Sequence, residues 1–501
     1  MSPRATIGLF VAQVFVAAGC SSSGSTATSA DANALYPYVP ASAEPVPAAR
    51  QSETWVSHIR DDLMPYWTSD IAMGSPVGNF PTNRGMDGRV AGDSRRYLRM
   101  LSRQTYAYSI GYLVTGDPQL LTLADAGARW ILDHGWDEAN GGWYQQLRST
   151  GTPVPNGPKY AQDTAYAVLG LAAYYFITRD PASEEAILRT RDLLFDPERF
   201  FDEETGRIVD GMNAELSAEI EHADAGWELV AQLDPINAFM LLVQPVMSDS
   251  SRRSQFLADL RQLSEVMWTE FFSDGIFWGI AQNQGRYRTR HVDFGHNLKA
   301  YWMIREVDKR LSDAPFFDRL AENIDAQVLR AFDDTEGRWA KRPINAEQVE
   351  YGSDWWIYAE SDQLAATLSL SNTSYNPILA QTQAAWLEDY VDDQYGEVFP
   401  NIRRNGAAAF SWGPADTAKC NLWKSGYHSM EHAVMMYLVG TYLEEKNAVM
   451  HFAVPASATD TFVARPYFLR GTEVSRTAAD AAVTVGTREL VPVSVEFNQI
   501  H

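Results

Sequence analysis

The sequence predicts an all-α toroid, six helical hairpins closed into a double ring, followed by a small β-rich tail. An acidic turn ending in glycine recurs five times at near-even spacing, and the stretches between the copies place apolar residues at helical intervals. The candidate inner helices are apolar on nearly all sides, which suits an inner layer wrapped by an outer one.

The first fifty residues stand apart. Arg4 precedes an apolar run, Ile7 to Ala18, that is too short to cross a bilayer as a stable helix. It ends at Ala17-Ala18-Gly19-Cys20, followed by Ser21-Ser22-Ser23-Gly24. That pattern resembles a bacterial lipoprotein signal, which implies that residues 1–19 are cleaved and Cys20 is lipidated. An ordinary secretory signal, with Cys20 incidental, is the alternative. Residues 20–49 are rich in Ser, Ala and Pro and read as a flexible linker. No later stretch reads as a membrane span. The expectation is an exported protein at the outer membrane or facing the periplasm, touching the membrane only through Cys20. Cys420, the other cysteine, is then left without a disulfide partner and reads as inert.

The 501 residues carry 64 acidic against 41 basic side chains, a net charge of −23. Nucleic-acid binding needs a basic face, so that class is disfavoured. A hydrophobic share of 46% is ample for a large core.

Residues 50–445 form the ring. Leu121 to Leu132, Ala165 to Phe176, Phe256 to Phe271 and Ala365 to Leu370 show helical spacing. The acidic turns begin at Asp137, Asp202, Asp274, Asp333 and Asp392, about 60 to 70 residues apart, with two helical stretches in each interval. Six hairpins fit this length. Residues 446–501 alternate with period two at Phe462–Arg465, Ala482–Val485 and Leu490–Phe497, and read as short strands without evident chemistry.

The chemistry-bearing signal is a pair of histidines in matching settings. They are Gly295-His296-Asn-Leu-Lys299-Ala-Tyr-Trp302 and Gly426-Tyr427-His428-Ser-Met-Glu431-His432, in a chain with nine histidines. Imidazole gives and takes protons near neutral pH, so two in one pocket point to proton transfer on a small molecule. A buried structural histidine is the competing reading for each. His291 and His432 read as supporting or surface residues.

The ordered motifs resemble the N-acylglucosamine 2-epimerase superfamily, which includes cellobiose 2-epimerases and aldose–ketose isomerases. They are Arg103-Gln-Thr-Tyr106, Asp137 to Tyr144, Lys159 to Tyr166, Gly295-His296, Trp355-Trp356-Ile-Tyr-Ala-Glu360 and Lys424-Ser-Gly-Tyr427-His428. The resemblance covers residues 50–445 and implies an (α/α)6 barrel. It implies proton transfer at C2 of a reducing sugar through an enediolate, giving an epimer or a ketose, with no metal or redox cofactor. On it, His296 and His428 are the acid/base pair and Arg103 holds the developing oxyanion. Glu360 binds hydroxyls or orients a histidine. Tyr106, Trp302, Trp355 and Trp356 are flat walls for sugar faces, with core packing as their alternative. Asn237, Lys299 and Glu431 complete the expected substrate site.

Three positions depart from the family pattern. Asn237 is followed by Leu241 and Gln244 where the family carries histidine and glutamate. Lys299 stands in place of a glutamate three residues after His296, and Glu431 in place of an arginine three residues after His428. A compensated exchange would pair Lys299 with Glu431 across the pocket. It would also make His428 the more basic histidine. Two alternatives remain open: a glycoside hydrolase or lyase using Asp354, Glu360 and Glu431, and a sugar-binding lipoprotein without catalysis. Asp354 is otherwise a helix-capping candidate.

Overall fold

In four of the five acidic turns the glycine N–H returns to the carbonyl of the leading aspartate, from Gly141, Gly206, Gly337 and Gly396, at 2.7–2.8 Å. These glycines take φ of 81°, 69°, 67° and 74°. The left-handed region is open to glycine at little cost, which is why each turn ends on one. The aspartate carboxylate accepts a backbone N–H two residues on, as from Ala139, Glu204, Thr335 and Gln394. The fifth turn closes a tight hairpin between Phe272–Ser273 and Ile276–Phe277.

The structure, a computed structural model, describes residues 32–220, 226–409 and 418–501. The leader, Cys20 and the start of the linker lie outside the described residues.

Six inner helices follow in chain order. The first is Leu98–Thr115, and the second Ala161–Ala167 continued by Leu169–Thr178. The third runs from Leu229–Pro235 through the π-turn Ile236–Met240 to Leu241–Val243. The fourth, fifth and sixth are Phe294–Asp308, Trp355–Ser369 and Tyr427–Leu443. Every residue of the first from Leu98 to Val114 is buried, the polar Arg99, Arg103 and Gln104 included, as an inner-layer position requires. Pro235 lacks an N–H and sits where the third helix widens into its π-turn.

Outer helices are amphipathic. Phe317–Ala331 buries only Leu320, Ile324, Gln327, Val328 and Ala331, one face at helical spacing. Pro118–His134 and Pro181–Leu194 start with proline behind a capping aspartate, Asp117 and Asp180. The last inner helix packs on the first and on Ser52–Ser57, which closes the ring. Leu229–Val246 is apolar enough to cross a membrane by composition, contrary to the sequence expectation, but 94% of it is buried in this ring.

In the tail, strand Arg488–Asn498 pairs antiparallel with Ala448–Val454, Thr472–Ala478 and Val483–Val485. The tail is more than an appendage. Tyr112 of the first inner helix donates to the Phe452 carbonyl at 3.1 Å, and Tyr467, Phe468 and Leu469 are buried against the ring. The N-terminal segment is likewise docked where a free linker is expected. Tyr36 donates to Asp308 Oδ2 at 2.7 Å and meets Phe317 edge-on, and Tyr442 donates to the Val39 carbonyl at 2.9 Å.

Candidate active site

Short strand pairings fix where the inner helices begin. Arg96–Tyr97 pairs with Gln146–Leu147 ahead of the first, Lys159–Tyr160 with Gly211–Met212 ahead of the second, and Ser353–Asp354 with Asn401–Ile402 ahead of the fifth. In five inner helices the first N–H donates to a loop carbonyl: Leu98 to Gln145, Ala161 to Asp210, Leu229 to Gly279, Phe294 to Lys341 and Trp355 to Pro400. This repeated tie satisfies a donor that a helix start would otherwise leave open.

The first two turns of all six inner helices line one cavity of about 380 Å³. They contribute Arg99 and Arg103, Gln162 and Tyr166, Asp234, His296 and Lys299, Trp355 and Trp356, and His428. Trp423, 62% exposed, stands at the rim over Arg99, 4.5 Å from its guanidinium.

Asp293 caps the fourth inner helix by accepting from the His296 N–H at 2.8 Å, and its other oxygen bonds His296 Nδ1 at 2.8 Å. One carboxylate thus starts the helix and fixes the imidazole, leaving Nε2 for the cavity. Burial would raise Asp293, but His296 holds it below the usual carboxylate range. Trp356 ties the two histidines together: its ring lies 4.7 Å from His296 and 6.0 Å from His428.

His428 Nδ1 is 3.2 Å from Glu360 Oε1 and 3.8 Å from Glu431 Oε2. Both carboxylates are fully buried beneath it. Lys299 Nζ lies 3.3 Å from Asp234 Oδ1 and 3.6 Å from Glu360 Oε1. Burial would raise Glu360, but Lys299 and His428 hold it low. Burial raises Glu431, and the neighbouring Glu360 charge adds to it. Of the two, Glu431 is therefore the carboxyl on which a proton is favoured. Burial pushes His428 down to about 4 and His291 likewise to about 4.

The site departs from the sequence reading in physical ways. Lys299 pairs with Asp234 and Glu360 in place of Glu431. His428 is made less basic, because loss of solvation outweighs the carboxylates around it. Tyr106, Trp302, Asn237 and Glu431, expected as walls or substrate contacts, are buried and are not among the residues lining the cavity. Trp302 Nε1 donates to Glu360 Oε2 at 2.9 Å, and the Asn237 amide donates to the Tyr427 hydroxyl. Glu360 is fully buried, with one oxygen toward His428 Nδ1 at 3.2 Å. Asp354 makes no side-chain cap; it lines the cavity and faces Lys341 at 3.3 Å. His291 is on the cavity wall, 4.7 Å from the His296 ring, whereas His432 is core, bonded to Asp362 at 2.9 Å. Cys420 is buried, and burial pushes its thiol up.

Arg103 reaches the cavity, held by the Trp423 carbonyl at 3.1 Å with its guanidinium 4.2 Å over Tyr166. The sequence reading assigned no role to Asp234, Asp293 or Lys424. Asp293 was legible as an N-cap three residues ahead of His296. Lys424 holds Glu397 at 2.6 Å and lies 4.9 Å over Trp355. Ligand atoms of Glu360, His428 and Glu431 come within 4.8 Å of one another, a spacing a metal could bridge, yet Lys299 already supplies positive charge there.

The family model for N-acylglucosamine 2-epimerase matches residues 79–411. The chain belongs to the N-acylglucosamine 2-epimerase family. A cellobiose 2-epimerase of Bacteroides fragilis is 21% identical over 387 residues, 73% of this chain and 93% of that protein. The structure of cellobiose 2-epimerase from Spirochaeta thermophila superposes with a TM-score of 0.66 at 18% identity, over 78% of this chain and 97% of that one. A D-mannose isomerase structure gives 0.65 at 18%, over 78% and 99%. These structures establish the (α/α)6 epimerase-family fold. His296, Trp356 and Glu360 fall inside the matched span; His428 and the C-terminal sheet lie beyond it.

Proposed function

We propose that the chain is a carbohydrate 2-epimerase or aldose–ketose isomerase acting on a free reducing sugar. The observation that carries this reading is the meeting of His296 and His428 in one cavity, on either side of the Trp356 ring. His428 enters as a neutral imidazole, with Nδ1 turned to Glu360 and Nε2 left to take the C2 proton. His296, steadied through Nδ1 by Asp293, serves the other face. Arg103 and Lys299 bring positive charge to the developing enediolate. Return of a proton to the opposite face of C2 gives the epimer, and return to C1 gives the ketose. Trp355, Trp356 and Tyr166 offer flat surfaces to the sugar.

The hydrolase reading needs two carboxylates facing each other across an open cleft. Of its three candidates, Glu360 and Glu431 are buried beneath His428. The test is incubation with glucose, mannose and cellobiose in heavy water, followed by NMR. Deuterium at C2 or C1 is expected; cleavage without exchange, or binding alone, sinks the proposal.

The Ile7–Ala18 run and Cys20 support export with a lipid anchor. Labelled fatty acid incorporated by wild type and lost in Cys20→Ser is the expected result; equal labelling of both would refute the anchor.

A further inference from the structure

We propose that the C-terminal extension is a working part of this site, with Tyr467 a positioning residue that governs the Glu431–Glu360 carboxylate pair beneath His428. The proposal rests on the epimerase or isomerase reading above. The segment around Tyr467 enters the ring from the end opposite the cavity. Tyr467 is 1% exposed and takes φ of 57°, a left-handed conformation that a non-glycine residue adopts only when its surroundings impose it. The residues that follow it are pinned: Arg310 donates to the Phe468 carbonyl at 3.1 Å, and Arg470 and His501 exchange backbone hydrogen bonds at 3.0 Å.

Two successive tail residues then touch the supports of the two carboxylates. The Tyr467 hydroxyl is 2.5 Å from the Tyr106 hydroxyl and 3.5 Å from Glu431 Oε1, the oxygen that also accepts from Tyr427 at 3.2 Å. The Phe468 ring packs 5.6 Å from Trp302, whose indole holds Glu360. Glu431 is faced by Lys299 from the fourth inner helix, Glu360 and Gln363 from the fifth, Tyr106 from the first, Tyr427 and His428 from its own helix, and Tyr467 from the tail. The tyrosines stay protonated, since burial raises Tyr106, Tyr427 and Tyr467 well above the ordinary phenol. The labile protons are therefore those of Glu431, Glu360 and His428. Removing the Tyr467 hydroxyl takes a donor from the Glu431 side of this set and makes its carboxylate harder to form. The family match ends at residue 411, ahead of this segment.

The test is Tyr467→Phe in the full chain, with Tyr106→Phe probing the same hydroxyl pair from the barrel side. Infrared titration reads the protonated carboxyl band, assigned by its loss in Glu431→Gln. The band is expected to titrate at higher pH in Tyr467→Phe than in wild type, and kcat for exchange to fall about tenfold with KM unchanged. Glu473→Gln, on an outer strand of the tail, should change neither. A Tyr467→Phe band titrating as in wild type overturns the proposal. Should Tyr467→Phe not fold, an unmoved band in Tyr106→Phe overturns it equally. The infrared arm needs no turnover, so a wild type without deuterium exchange defeats the epimerase reading separately.

Discussion

Glu360 Oε1 lies 3.2 Å from His428 Nδ1, and His428 lines the same cavity as His296. An imidazole on an ionised carboxylate is held in one orientation and one tautomer. Glu360→Gln should keep the fold and substrate affinity but lower exchange by about 10²-fold, with His428→Asn and His296→Asn losing about 10²–10⁴-fold. Deuterium-exchange rates beside calorimetric binding check this; a Glu360→Gln rate within twofold of wild type would refute it.

Asp293 has two separable duties, so two variants should diverge. Asp293→Asn keeps a cap of comparable strength, whereas Asp293→Ala costs about 1 kcal/mol of stability. Both should lose kcat, because neither presents a carboxylate to His296 Nδ1. Thermal melts and kcat measured on the same samples separate the roles.

Stability should depend on pH through Glu431. Its folded pKa, raised to about 8 from 4.5, lies above the unfolded value, so its contribution is complete below pH 4.5 and is lost as pH climbs to about 8. Glu431→Gln removes that loss. The melting temperature of the variant should gain on wild type progressively from pH 4.5 to 8; a constant difference across that window would count against a proton on Glu431. His428 acts with the opposite sign: its contribution is present above pH 6.5 and is lost as pH falls through about 4.

Gly295 sets the approach of two inner helices. A Cβ there would meet the Trp356 ring at 2.4 Å and Ile357 Cγ1 at 2.9 Å. Gly295→Ala should therefore displace Trp356, cost about 1–3 kcal/mol by overpacking, and raise KM. Tryptophan fluorescence and KM read the displacement.

Lys299 neutralises Asp234 and Glu360, and all three side chains are almost fully buried. Lys299→Met should destabilise by about 3–5 kcal/mol, the cost of leaving buried charge unpaired. Adding Asp234→Asn should recover part of it in denaturant titrations.

Much of the ring was legible because its signals are local. Each acidic turn carries its own hydrogen bonds, and the Asp137 and Asp392 copies match in detail, with Lys159 and Lys419 closing on their carboxylates. The histidines were legible for the same reason. The partners were not, because pairing across the barrel joins residues far apart in sequence. Lys299 and Glu431 are oppositely charged residue types at equivalent places, yet the lysine pairs with Asp234 and Glu360 and burial raises Glu431. Nor could one-dimensional reading tell a lining residue from a buried one: Trp302 and Trp356 share a residue type and differ only in depth. The tail escaped for want of any motif, since Tyr467 acquires meaning only against Tyr106.

The shared direction of the six inner helices has one more consequence. Every one of them starts at the cavity, so each points the positive end of its backbone dipole, roughly half an elementary charge, at the same small volume. Only the fourth has a side-chain cap to offset this, from Asp293. A chain of net charge −23 thus keeps an anion-attracting centre made of main chain. Substitution cannot erase that field. Side chains such as Lys299 and Glu431 are free to drift, while the main-chain attraction for negative charge is inherited with the backbone.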